Sequence, residues 1–276
     1  MAEITAAAVK SLREKTGLPM MDCKAALAES NGDEQGAIEY LRKKGIKTQE
    51  TRLGRETSAG RIAVFVDAAR PVAAMVELKC ESAPVANHDD FKQLAADLAK
   101  QLATGPGAAT GDELLTQPSP SHPGKKLGDI KDDLFNRMRE VFQVGRIIRV
   151  DAPCGVYAHH DGSMAALVEI TGSNMDAAKD IAMHVVAQRP AAVSKEDLDP
   201  AIVDKEREIL SEAARKEGKP ENIIAKMIEG RLKNFYAERV LNEQPFIKDD
   251  KQTVSQYAKS AGIAVKKFAA WVMGKE

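Results

Sequence analysis

An α+β architecture follows from three features of the sequence. The run Ala73-Ala74-Met75-Val76-Glu77-Leu78 is echoed by Ala165-Ala166-Leu167-Val168-Glu169-Ile170, and both have strand character. Each run follows another strand candidate, Arg61 to Val66 or Gly155 to His159, and precedes an amphipathic helix. Purely helical signals lie outside this duplicated β-β-α unit, at the N-terminus and beyond Asp199.

Ile4, Val9 and Leu12 form a first helical stripe, broken by Thr16-Gly17-Leu18-Pro19. A second helix is expected from Met20 to about Glu29, stopping at Ser30-Asn31-Gly32, where glycine suits a left-handed helix end. A third begins after Asp33 as N-cap, turns Ala37, Ile38 and Leu41 inward and stops at Gly45. Three helices this short have a thin core, which suits a docking module (residues 1–46). Residues 47–58 are polar and weakly periodic and read as a linker.

The first half of the core is placed at 59–143 and the second at 144–194. Their helices carry Phe91, Leu94, Ala95, Leu98 and Leu102 in one case and Ala178, Ile181, Ala182 and Val185 in the other. The Gly- and Pro-rich stretch from Thr104 to Gly124 reads as a loose connection. Asp199-Pro200 starts a helix with Ile202, Ile209, Leu210 and Ala213 at helical spacing, and Gly218-Lys219-Pro220 breaks it. A second stripe through Ile223, Ile224, Met227, Ile228 and Phe235 completes an antiparallel hairpin, residues 195–242, that projects from the core. The remainder, 243–276, holds a helical signal from Thr253 to Ser260 and an ambiguous run from Val265 to Met273.

Lys and Arg number 40 against 41 Asp and Glu, for a net charge of −1, so a surface devoted to phosphate backbones is not expected. Aromatics are only 4% of residues, too few for a base-stacking platform. Cys23, Cys80 and Cys154 show neither CxxC spacing nor an even count, which argues against a disulfide framework or a zinc ribbon and for a reducing compartment. With no run apolar enough to span a bilayer, the expectation is a cytoplasmic protein with no membrane or direct nucleic-acid partner.

No catalytic constellation emerges: there is no GxxxxGK[ST], GxSxG, HExxH or strand-anchored GxGxxG. His159-His160-Asp161 could begin a metal site, but neighbours on an extended segment point to opposite faces, so a surface or interface histidine is preferred. His184 reads as a packed helix histidine, and Cys23 and Cys80 as buried, inert thiols. Met20-Met21 differs, because two successive side chains of so small a bundle cannot both face its centre. At least one exposed, adaptable methionine beside Leu18 and Pro19 makes a contact patch.

The stretch Thr16-Gly17-Leu18-Pro19-Met20-Met21-Asp22-Cys23-Lys24-Ala25-Ala26-Leu27, with Asn31-Gly32-Asp33 and Ala37 to Gly45, closely resembles the opening signature of the bacterial elongation factor Ts family. The likeness continues through Ile181-Ala182-Met183-His184-Val185, Gly218-Lys219-Pro220, Lys226 to Leu232 and Gln244-Pro245-Phe246, in order along the chain. It implies a ubiquitin-associated-like three-helix head, a two-part α+β core, a protruding helical hairpin, and a terminal core strand with a shortened tail. It also implies guanine-nucleotide exchange on elongation factor Tu without bond-breaking chemistry and without a cofactor. The stoichiometry, one-to-one or a higher-order complex, stays open.

By that resemblance Leu18, Met20, Met21 and Lys24 contact the nucleotide-binding domain of the partner, and His159 acts near the partner's phosphate loop. A core loop of the family, usually Thr-Asp-Phe after Cys-x, reaches the Mg²⁺ and phosphate region. Here the matching stretch is Cys80-Glu81-Ser82-Ala83-Pro84-Val85-Ala86, which lacks the acidic-aromatic pair. Either Pro84 serves as a smaller wedge, with Glu81 supplying the charge, or exchange leans on the His159 side; the same site with altered contacts is the preferred reading. The alternative is a ribosome- or polypeptide-associated factor that uses the head only to dock.

Overall fold

The computed structural model describes residues 4–50, 52, 54–216 and 220–275. Three helices open the chain: α1 (Ala6–Thr16), α2 (Met20–Glu29) and α3 (Glu34–Glu50). Thr5 caps α1 by accepting from the Ala8 amide, and Gly17 ends it at φ 67°, a left-handed position that costs glycine little. Val9, Leu12, Leu18, Cys23, Ala26, Leu27, Ala37 and Leu41 fill the small core between the three. Asp33 starts α3, its carboxylate accepting from the Gly36 amide at 2.7 Å.

The expected stop at Gly45 is not observed, and α3 runs on to Glu50, into the stretch read as a linker. The reason is packing. A β-carbon on Gly45 would fall 1.9 Å from the Asn136 side chain, so this glycine marks a close approach inside a helix instead of its end.

The core is α+β. Its first sheet has the order β1 (Ala59–Val66), β2 (Ala73–Cys80), β3 (Gln143–Val150), and its second β4 (Cys154–Ala158), β5 (Met164–Thr171), β8 (Ala264–Val272), all antiparallel. Residues 144–150, placed in the second half by the sequence, belong to the first sheet, because β3 pairs with β2. The C-terminal run, ambiguous in its periodicity, is the core strand that the resemblance implies, and it completes the second sheet. Each repeat is therefore β-β-α plus a returning third strand.

Between β2 and β3 the chain forms a helical turn α4 (Ala83–Ala86), then α5 (Asp89–Thr104), α6 (Gly111–Leu115) and α7 (Leu127–Met138). Ala74, Val76, Leu78 and Cys80 of β2 face α5 and α7, whereas Ala73 and Met75 face the second sheet across Ile62, Cys154, Ala165 and Leu167. The opposite face of the second sheet is covered by α8 (Met175–Gln188).

The Gly- and Pro-rich connection is not loose. Asp97, almost fully buried on α5, accepts from Ser119 Oγ at 2.9 Å and Ser121 Oγ at 2.6 Å, and Gln101 donates to Gln117 at 2.9 Å. A buried carboxylate needs such donors, and they fasten the loop to the helix.

Beyond α8 come α9 (Pro200–Lys216) and α10 (Glu221–Arg239). The Asp199 carboxylate accepts from the Ala201 amide at 2.9 Å, as its position before Pro200 suggests. Leu198, which precedes α9, shares a cluster with Val240, which follows α10, and with Val203, Leu210, Leu232 and Phe235, so the two helices run antiparallel. Of the expected break, Gly218 and Lys219 lie outside the described residues. A small ribbon, β6 (Pro245–Phe246) with β7 (Asp249–Thr253), and α11 (Val254–Ser260) then lead into β8.

Gly155 sets how closely β4 approaches α8: a β-carbon there would lie 2.1 Å from the Ala178 carbonyl carbon and 2.5 Å from the Lys179 nitrogen, both rigid backbone. Gly155→Ala is expected to destabilise the protein by about 2–3 kcal/mol and lower its melting midpoint by roughly 5–10 °C. Calorimetry or a thermal CD scan checks this.

Candidate partner-binding site

Helix α2 begins directly after Pro19, with Cys23, Ala26 and Leu27 turned inward. Its opposite face carries Met20 at 49% exposure, Met21 at 74% and the exposed Lys24. Both methionines are therefore at the surface, where a flexible thioether side chain can adapt to a partner. Leu18 is not: at 7% exposure its side chain belongs to the bundle core. Between these residues, Asp22 pairs with Lys44 at 3.1 Å and with Arg139 Nη2 at 2.5 Å.

The stretch after Cys80 folds as the single turn α4, with Ala83 and Pro84 exposed, Val85 resting on the core and Ala86 buried. Ser82 donates to the Glu140 carboxylate from its amide at 3.1 Å and its hydroxyl at 2.5 Å. Glu81 accepts from the Val141 amide at 2.9 Å and from Arg55 Nη1 at 3.0 Å. The Val141 amide first, and Arg55 beside it, hold this carboxyl below the usual range. Both oxygens of Glu81 are thus engaged, which makes it a brace for the turn, and Pro84 is the side chain the turn presents. The Cys80 thiol, pushed up to about 11 by burial and by the Glu140 charge, stays protonated and inert.

His159 follows β4 in a tight turn: its amide donates to the Met164 carbonyl and its carbonyl accepts from the Gly162 amide, both at 2.8 Å. The segment is not extended, so the expectation that neighbouring histidines diverge does not hold, and the His159 and His160 rings lie 4.2 Å apart. His159 Nδ1 approaches Asp161 Oδ1 at 2.8 Å, an ion-pair distance without the geometry of a regular hydrogen bond. The imidazole, and then the Ser163 amide, hold the Asp161 carboxyl far below its ordinary range. Among the described residues, no group of three or more His, Cys, Asp or Glu is placed to hold a metal ion.

Arg61 of β1 clasps this turn by donating to the carbonyls of His160 at 2.9 Å and Asp161 at 3.1 Å. Ala59, two residues before Arg61, pairs with Cys80, from which the α4 turn departs. The Ile62 amide also donates to the Gly162 carbonyl at 2.8 Å, so the His159 turn meets β1 within three residues of Ala59, the end from which the α4 turn departs. The Arg139-Glu140-Val141 segment ties that end to α2.

A family model described as Elongation factor TS matches residues 81–275. The chain is 38% identical over 271 residues to Elongation factor Ts of Nitratidesulfovibrio vulgaris strain DP4, covering 95% of this chain and 91% of that protein. It is 37% identical to that of Aquifex aeolicus strain VF5 (96% of each) and 41% identical to that of Paracoccus denitrificans strain Pd 1222 (99% and 93%). The chain belongs to the elongation factor Ts family.

As an elongation factor Ts family member it is a translation elongation factor, and the matched span contains the α4 turn, β3, the second sheet with α8 and the helical hairpin, while β1 and β2 precede it. Arg55, Arg61, Arg139 and Glu140 were not singled out by the sequence. Arg139 and Asp22 are 117 positions apart, and Glu140 and Ser82 58, so no local pattern announces either pair. No helix among the described residues is long and apolar enough to cross a membrane.

His184 lies apart from this site. It is fully buried on α8, with Nε2 2.9 Å from Gln244 Oε1 and Nδ1 accepting from the Ile247 amide at 3.2 Å. That pattern fits a neutral ring that carries its proton on Nε2, and burial lowers its pKa. Below pH of about 6.5 the unfolded chain takes up a proton that the folded chain refuses, so stability falls with falling pH and levels off below the depressed folded value. Urea unfolding between pH 7.5 and 5.5 is expected to show that slope, and His184→Gln to flatten it.

Proposed function

We propose that this protein binds elongation factor Tu carrying GDP and promotes GDP release in the cytoplasm, through contact and without bond-breaking chemistry. The single observation behind this reading is the convergence described above. The methionine face of α2, the α4 turn and the His159 turn are all braced on one end of the core.

A GTPase holds GDP through backbone donors of its phosphate loop and a bridging Mg²⁺ ion. A protein that binds the nucleotide-free form more tightly weakens nucleotide binding by the same factor, at about 1.4 kcal/mol of differential contact for each tenfold. In this proposal the three-helix domain is a ubiquitin-associated-like head that docks through Met20, Met21 and Lys24. Leu18, buried beneath them, shapes the patch. The turn from Ser82 to Val85 inserts Pro84 toward the Mg²⁺ and phosphate region, and Glu81 keeps the turn rigid. His159 perturbs the phosphate-loop side, and the antiparallel hairpin, acting as a coiled coil, holds the rest of the partner.

Stopped-flow release of a fluorescent GDP analogue from elongation factor Tu, with unlabelled GDP as chase, tests the reading. Substoichiometric amounts of this protein are expected to accelerate release; stoichiometric binding without acceleration would contradict it. Met21→Ala is expected to weaken docking by about 1 kcal/mol, roughly fivefold in affinity. Pro84→Gly, which removes the wedge and frees the turn, is expected to lower the maximal release rate by about tenfold, or about 1.4 kcal/mol of barrier. Wild-type rates for that variant would remove Pro84 from the mechanism.

A further inference from the structure

We propose that Arg139 is a positioning residue, fixing the Met20, Met21 and Lys24 face of α2 against the α4 turn so that both meet the partner in one preset geometry. The inference rests on the exchange reading above and adds to it the element that sets the register between its two contact surfaces.

Arg139 follows the last residue of α7 with φ 62° and ψ 24°, a left-handed conformation in which a glycine would be relaxed and a long side chain is not. Arg189 ends α8 in the same way, so the conformation at Arg139 matters for where it aims the side chain. The side chain held there reaches across to the N-terminal bundle, where its Nη2 meets Asp22 Oδ2 at 2.5 Å in the first turn of α2, next to Met21. Its own carbonyl accepts from Arg52 Nη1.

The next two residues face the other way. Glu140 takes the amide and hydroxyl of Ser82, and the Val141 amide takes Glu81. Three consecutive residues therefore grip α2 on one side and the α4 turn on the other.

The bundle has another charged tie to the core, Arg42 with Asp129 at 2.8 Å, but those side chains are 67% and 36% exposed, against 32% and 22% for Arg139 and Asp22. An exposed pair is screened and contributes little, so the less exposed one carries more of the orientation. Lys44 of α3 also meets Asp22, at 3.1 Å from within the bundle. A preset orientation spares the complex the ordering cost of binding, and its loss appears in affinity before it appears in the rate of the bound complex.

The test replaces Arg139 with glycine, which relaxes the backbone and removes only the side chain. For Arg139→Gly the expected result is a melting midpoint equal to or above wild type. The concentration giving half-maximal GDP release rises three- to tenfold, and the maximal rate stays within twofold. Arg139→Lys is expected to recover most of the affinity. Asp22→Asn reproduces the glycine effect, and the double variant is no worse than either single one.

A second readout needs no partner: spin labels at A25C and N87C, both exposed positions, report the distance between α2 and the end of α4. A narrow distribution that broadens in Arg139→Gly supports the proposal. An unchanged distribution, an unchanged half-saturating concentration, or effects of Asp22→Asn and Arg139→Gly that multiply would each overturn it. If the distances behave as stated but the unsubstituted chain fails to speed GDP release, the exchange reading falls and the positioning role stands.

Discussion

Strand β2 is covered by helices on one face and by the second sheet on the other, so apart from the half-buried Lys79 every side chain it carries must be apolar or fully satisfied. Glu77, at 1% exposure, is the buried charge that organises the core. Burial pushes its carboxyl up, but the bonds and charge of Arg146 outweigh that and hold it below its ordinary value. A bulge makes the pairing possible: Gly145 and Arg146 of β3 together face Glu77, and Gly145 has no β-carbon to collide with Glu77 Oε2, which would lie at 2.5 Å. Arg146 also donates to the Val272 carbonyl at 3.0 Å and lies over Trp271, so the same ion pair joins the first sheet to the last strand of the second.

The second half repeats the device in a wetter setting. Glu169 occupies the matching place on β5, the register of β8 slips at that point, and Lys266 and Lys267 approach at 3.5 and 4.0 Å. A glutamate facing a bulge that brings in a basic side chain is thus part of the repeat itself. With the frame fixed in this way, the end of the first sheet becomes a stable platform. There β1 clasps the His159 turn, β2 releases the α4 turn, and the segment after α7 reaches out to α2. The proposed exchange by contact calls for such a platform more than for a reactive group.

Elements with local signals were legible in the sequence. The echoed strands, the N-caps at Asp33 and Asp199 and the methionines after Pro19 all declare themselves within a few residues. Gly45 misleads because a helix-ending glycine and a close-packing glycine look alike until Asn136 of α7 is seen beside it. Strand β3 fell to the wrong half because a strand signal does not name its sheet. Helix α7 carries Leu127, Ile130, Leu134 and Phe135 at helical spacing, yet the Gly- and Pro-rich stretch before it draws attention away. The least legible part is the brace of the candidate site, since Arg139 and Glu140 bond to residues far away in the chain and sit where a sequence reader would see only a charged helix end.

Exchange by contact requires these surfaces to favour a partner without nucleotide, and one equilibrium comparison measures that preference. Isothermal titration of this protein into elongation factor Tu, once with the nucleotide removed and once saturated with GDP, gives the two affinities whose ratio is the coupling. Binding to the nucleotide-free form is expected to be at least a hundredfold tighter, about 2.7 kcal/mol. Equal affinity for the two forms would contradict it, because a protein that binds both alike cannot shift the nucleotide equilibrium.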